Sequence, residues 1–178
     1  TISGANSIAV GKKVTLTASV GPDGVASQAV TWAFDAGSTC ATVGAITGVV
    51  AANNATANIG KKINLIATTQ AAGAGGNKIV SEPFTLTVTS PTTGIATNFG
   101  IGSGKTTAYL YQEQLQLYAV CQPESASQSV VWSTGDAKIA TVNATTGLVT
   151  LVKTGTVSIT ATAMDGTGVK NITTLTIQ

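Results

Sequence analysis

Four short blocks of this chain occur twice, in the same order. Val30-Thr31-Trp32 returns as Val130-Val131-Trp132, and Cys40-Ala41-Thr42-Val43 returns as Ile139-Ala140-Thr141-Val142. Thr47-Gly48-Val49-Val50 returns as Thr146-Gly147-Leu148-Val149, and Thr85-Leu86-Thr87-Val88 as Thr174-Leu175-Thr176-Ile177. A duplicated chain is expected to fold into two like units, so the repeat sets the domain count before any strand is assigned. The offset between blocks falls from 100 to 99 to 89. Extra residues of the first copy therefore lie around 53–60 and 71–77, both rich in the Gly, Ala and Asn of loops. The expected division is a domain over 1–90, a short linker over 91–93 and a domain over 94–178. Pro91 cannot donate to a strand ladder and ends the first copy.

Within each copy, apolar residues alternate with polar ones. Val14, Leu16, Ala18 and Val20 point one way, and Thr15, Thr17 and Ser19 the other. Leu115, Leu117, Ala119 and Cys121 repeat the pattern, as Val157, Ile159 and Ala161 repeat Ile63, Leu65 and Ala67. A period of two is a strand with one buried and one wet face. Many such short strands, separated by Gly, Asn, Asp and Pro, predict an all-β fold: an antiparallel β-sandwich in each copy. Asp165-Gly166 reads as a hairpin turn. No segment holds a 3.6-residue period, so no long helix is expected.

Composition removes several function classes. The chain has no His, and all nine basic residues are Lys. The commonest general base and metal ligand is missing, and so is the side chain that reads guanine or phosphate in bidentate fashion. A net charge of +2, carried by scattered Lys, makes no basic stripe, which argues against nucleic-acid binding. No apolar run is long enough to span a membrane. The chain begins at Thr1, which reads as a processed or excised fragment.

Val-x-Trp, then Ala-Thr-Val, Thr-Gly-x-Val and Gly-x-x-x-Ile-x-Ala-Thr resembles the bacterial immunoglobulin-like group 2 domain. In the second copy these are Val130, Trp132, Ala140-Thr141-Val142, Thr146-Gly147-Leu148-Val149 and Gly155 through Thr162. The first copy keeps Trp32, Ala41-Thr42-Val43 and Thr47-Gly48, with an expanded middle. The resemblance implies two tandem immunoglobulin-like Greek-key β-sandwich domains that form a non-enzymatic structural or display module of a bacterial extracellular surface protein: a stalk, surface-layer or adhesin segment. A phage virion component, as a capsid or tail decoration, is the alternative. A carbohydrate-binding module of a secreted protein is a third. Expected partners are other protein domains or copies of itself, with a cell-surface glycan or host receptor as further candidates. The family carries no shared catalytic residues, and no cofactor is expected.

Individual residues fit this frame. Trp32 and Trp132 hold the inward register of the same strand in both copies and read as core markers rather than sugar platforms. Cys40 and Cys121 each replace a residue that is apolar in the other copy, Ile139 and Val20. They fall in different domains, so they read as buried free thiols, with an interdomain or intersubunit bridge as the alternative. Tyr109, Tyr111 and Tyr118 read as outward-facing residues on strands and are the candidate contact surface, since Tyr is favoured at interfaces. Gly100 through Thr106 imitates a phosphate-binding loop, but Phe99 stands where the first Gly belongs, and strand rather than helix should follow. Asp23, Asp35, Glu82, Glu113, Glu124, Asp136 and Asp165 show no Asp-x-Asp pattern and read as solvated turn carboxylates. Calcium at a loop between the domains is the minor alternative. Asn54, Asn143 and Asn171 begin glycosylation triplets of the kind a Thr-rich chain produces by chance.

Overall fold

The computed structural model describes residues 1–21, 29–72, 76–101 and 105–178. It divides into two compact units, Thr1–Pro91 and Thr92–Gln178.

The first unit contains β1 (Ile2–Ser3), β2 (Ser7–Ala9), β3 (Lys13–Thr15), β4 (Thr17–Ala18) and β5 (Val30–Phe34). It continues with β6 (Ala41–Val43), β7 (Val49–Ala52), β8 (Lys62–Thr69) and β9 (Phe84–Thr89). One sheet runs β2-β9-β8-β5, a second β3-β7-β6, and β1 pairs with β4. The even run predicted from Val14 to Val20 is broken at Leu16. There the chain changes partner from β7 to β1, and the Leu16 N–H bonds the Gly48 carbonyl instead of a ladder partner. Val14 and Leu16 are buried as the alternation requires, while Ala18 and Val20 are half-buried.

The second unit holds β10 (Gly94–Phe99), β11 (Thr107–Ala108), β12 (Gln114–Gln122) and β13 (Val130–Thr134). These are followed by β14 (Ala140–Val142), β15 (Leu148–Leu151), β16 (Gly155–Ala163) and β17 (Lys170–Ile177). Its sheets run β10-β12-β15-β14 and β11-β17-β16-β13. Inward residues of both sheets form one core: Leu115, Leu117 and Cys121 from β12, Trp132 from β13, Val149 from β15, Val157, Ile159 and Ala161 from β16, and Leu175 from β17. Where β10 passes β17, the sandwich is closed by polar side chains. Asn171 Nδ2 donates to the Ile95 carbonyl at 2.7 Å, and the Thr97 and Thr173 hydroxyls meet at 2.6 Å.

The duplicated Thr-Gly block has one physical role in both units. Gly48 and Gly147 have φ of +66° and +72°, a region that favours glycine. Each lies against the buried indole of its own unit: a Cβ at Gly48 would sit 2.9 Å from Trp32 Cε2, and one at Gly147 2.8 Å from Trp132 Nε1. The turn before each glycine also receives that tryptophan's backbone N–H, at the Ala45 and Ala144 carbonyls. The repeated motif is therefore a lid of backbone over an aromatic core residue.

Candidate functional site

The connection from β11 to β12 is where the structure departs most from the sequence reading. Thr107–Ala108 is strand, but Leu110–Gln112 is a single 3-10 turn, where alternation had suggested strand through Tyr111. The chain turns instead. The Tyr109 N–H donates to Gln112 Oε1 at 2.8 Å, and the Gln112 N–H donates to the Tyr109 carbonyl at 2.9 Å. The turn is tied to the last strand by Leu110 N–H to the Gln178 carbonyl and by Gln178 N–H to the Ala108 carbonyl, at 2.8 and 3.0 Å. Glu113 ends it at φ +58°, a left-handed conformation in a non-glycine residue.

That turn brings two of the three predicted tyrosines together. The rings of Tyr109 and Tyr111 stack with centroids 5.5 Å apart and planes 16° from parallel, an arrangement aromatic pairs favour. Tyr111 is 82% exposed and Tyr109 46%. Beside them opens a groove of about 560 Å³ lined by Ile101, Lys105, Thr106, Thr107, Tyr109, Tyr111 and Gln112. Tyr118 is also outward, on β12 and 59% exposed, but the stacking leaves it out. In the phosphate-loop look-alike, Gly102, Ser103 and Gly104 lie outside the described residues. Phe99 is a buried end of β10, and strand β11 follows in place of a helix.

Trp32 and Trp132 are each 5% exposed. Cys40 and Cys121 are both buried and free. The Cys40 thiol lies 3.2 Å from the Ser38 hydroxyl. Burial pushes the Cys121 thiol up from its ordinary value, and the nearby Asp165 carboxylate adds to the shift.

Asp165 corrects the reading of the carboxylates as solvated. Among the described acidic residues Asp35, Glu82, Glu113, Glu124 and Asp136 are exposed, and Asp23 lies outside the described residues. Asp165 is fully buried. One oxygen accepts from the N–H and hydroxyl of Thr92 at 2.9 and 2.7 Å, the other from the N–H and hydroxyl of Thr167 at 3.0 and 2.6 Å. Burial alone would raise its pKa; the four hydrogen bonds outweigh that and hold the carboxyl below its ordinary value. The group is a clasp between the β16–β17 turn and the first residue of the unit. Its one signal in the sequence was Asp-Gly-Thr, which serves equally as an exposed turn.

The other polar candidates are likewise engaged by the fold. Asn143 Oδ1 accepts the N–H groups of Thr145 and Thr146, and Asn171 closes the sandwich edge as described. Asn54 is exposed. Among the described residues, no three His, Cys, Asp or Glu side chains group to hold a metal, and no helix is long and apolar enough to cross a membrane.

Sheet orders β10-β12-β15-β14 and β11-β17-β16-β13 correspond to the two layers of an immunoglobulin-like sandwich, with the first strand split between the layers. Residues 95–174, which lie in the second unit, match the bacterial Ig-like domain (group 2). Similar solved structures include a fragment of mouse cadherin-23, at 14% identity and TM-score 0.37, covering 97% of this chain and 59% of that one. A C-terminal fragment of intimin, in complex with the intimin-binding domain of the translocated intimin receptor, is 18% identical with TM-score 0.36, covering 93% and 57%. The fibronectin(III)-like modules of CbhA from Clostridium thermocellum are 14% identical with TM-score 0.37, covering 99% and 93%. The chain thus spans little more than half of the first two. No curated protein matches it.

Proposed function

We propose that this chain is a load-bearing structural or display module of a bacterial extracellular surface protein, a stalk or adhesin segment that holds another part of its protein at a distance. The observation that carries this reading is the way each unit pairs its ends. In the first unit β2 lies parallel to the last strand β9, with Ser7, Ile8 and Ala9 opposite Thr87, Val88 and Thr89. In the second, β11 lies parallel to the last strand β17, with Thr107 and Ala108 opposite Thr176 and Ile177. All other strand pairs among the described residues are antiparallel.

Parallel pairing of an early strand, β2 or β11, with the last strand of its unit carries the chain in at one pole and out at the other. In the second unit Thr92 is held at the β16–β17 turn by Asp165, while Gln178 ends beside Ala108. Tension between the ends then loads the hydrogen bonds of the parallel pair side by side, in shear, instead of one after another as in an unzipped hairpin. The bonds concerned include Thr87 N–H to Asn6, Val10 N–H to Thr89, Thr176 N–H to Thr106 and Gln178 N–H to Ala108. The match of residues 95–174 to a bacterial Ig-like domain family supports a surface setting by analogy.

Single-molecule stretching of the whole chain from its two ends tests the proposal. Each unit of about 90 residues, at about 3.5 Å per residue, should release about 270 Å of chain after its folded length is subtracted. Thr176→Pro deletes the Thr176 N–H bond to Thr106 and should lower the rupture force of one event and leave the other unchanged. Rupture of both units at the forces of unzipped hairpins, insensitive to this substitution, would remove the load-bearing reading.

A further inference from the structure

The geometry points to a second role for the second unit: the Tyr109–Tyr111 stack and its groove form a binding site for a pyranose ring of a glycan chain. This goes beyond the load-bearing reading and stands independently of it.

The architecture does not require these aromatics. The first unit makes the corresponding connection, from β2 to β3, with Val10-Gly11-Lys12. The second unit spends Tyr109-Leu110-Tyr111-Gln112-Glu113 on the same task and leaves Tyr111 82% exposed. Water-facing aromatic surface in a stacked pair contributes little to the core, so its advantage lies in contact with something else.

The platform is ordered before any ligand arrives. The stack, the Tyr109–Gln112 bond pair and the two backbone bonds to Gln178 hold the turn in one geometry. Glu113 keeps a backbone conformation that costs free energy in a non-glycine residue. A site whose parts are already held loses less entropy on binding.

The ligand class follows from what the groove presents. A pyranose has one face of C–H groups and a rim of hydroxyls. Rings 5.5 Å apart and nearly parallel leave no room for insertion between them, so the sugar stacks on the free face of Tyr111. Gln112, Thr106, Thr107 and Lys105 line the groove beside it and supply the amide, hydroxyl and ammonium groups that hydroxyl oxygens and hydrogens need. A proline-rich peptide would ask for an aromatic trough with few polar partners; here polar side chains outnumber the aromatic ones.

The test is an NMR titration of the whole chain with hexasaccharides of β-1,4-linked glucose, N-acetylglucosamine, mannose and xylose, each to about 5 mM, the range in which weak sugar sites saturate. At least one should shift the resonances of Tyr109, Tyr111 and Gln112. Tyr111→Ala and Gln112→Ala should each weaken binding by about tenfold or more, and Tyr118→Ala, exposed on another part of the unit, should leave it unchanged. Tyr111 is mostly in solvent, so its removal leaves the fold intact; unchanged backbone amide shifts away from the turn confirm this. The assignment is overturned if no hexasaccharide binds, if binding responds to Tyr118 and not to Tyr111, or if a polyproline peptide shifts the same resonances while the sugars do not.

Discussion

Gly147 and Gly168 offer a direct measure of how much the turn over the tryptophan contributes to the second unit. Both have φ +72°. A Cβ at Gly168 would meet nothing within 4 Å, whereas one at Gly147 would stand 2.8 Å from Trp132 Nε1, 3.1 Å from Trp132 Cε2 and 3.2 Å from the Leu117 carbonyl oxygen. Gly168→Ala therefore reports the conformational cost alone. Placing an L-residue there costs about 1–2 kcal/mol, partly offset by about 0.4–1 kcal/mol from the lost freedom of the unfolded chain. A net loss of about 1 kcal/mol is expected. Gly147→Ala carries the same cost, and in addition it must move a buried indole and a backbone carbonyl, an overpacking cost of about 1–3 kcal/mol. The two variants should differ by about 2 kcal/mol, or about 10 °C in Tm for a unit of this size. Urea unfolding followed by tryptophan fluorescence measures it, because each unit holds one tryptophan. The transition of Trp132 should move and that of Trp32 stay, with the slope unchanged. If the two variants fall within about 0.5 kcal/mol of each other, beyond which non-neighbouring effects are resolved, the indole contact does not constrain this turn.

Three further outcomes follow from the same geometry. Asp165→Asn should cost the second unit about 2–3 kcal/mol at pH 7, because buried hydrogen bonds to a charged acceptor are lost. The folded carboxyl is held below its ordinary value, so its stabilisation is complete above the unfolded pKa of about 4 and is lost as pH falls through the folded one. The gap between wild type and Asp165→Asn should narrow as pH falls below about 4, read from denaturation midpoints; a gap that does not change with pH would contradict the clasp. Gly48→Ala should weaken the first unit as Gly147→Ala weakens the second, since its Cβ would stand 2.6 Å from the Leu16 carbonyl oxygen and 2.9 Å from Trp32; unfolding midpoints decide it. Cys40 and Cys121 are buried and free, so a thiol reagent at pH 8 should label neither in the native chain and both in urea. Rapid native labelling of Cys121 would show the core opening at β12.

The sequence determined the class of fold. Alternation is a local property of a strand, and it was sufficient to put Leu115, Leu117 and Cys121, Val157, Ile159 and Ala161, or Ile63, Leu65 and Ala67 on one buried face. The Val-x-Trp, Ala-Thr-Val, Thr-Gly-x-Val and Gly-x-x-x-Ile-x-Ala-Thr blocks carried the resemblance of the second copy to bacterial Ig-like domains, and one of them has a plain physical reason: glycine at positive φ over an indole is a requirement that only one residue meets without strain. What the tertiary structure decided lies where local pattern is silent. Asp-Gly-Thr reads as an exposed turn until Thr92, 73 residues earlier, arrives to donate two hydrogen bonds to it. Tyr109-Leu110-Tyr111 alternates like a strand, yet the Leu110 N–H bond to the Gln178 carbonyl and the Tyr109–Gln112 bonds close a 3-10 turn in which the two rings stack. Leu16 alternates perfectly and yet leaves the ladder, because the strand changes sheets at that residue. In each case the deciding contact is made by a segment far along the chain, and a pattern with a period of two residues holds no information about which distant groups will meet.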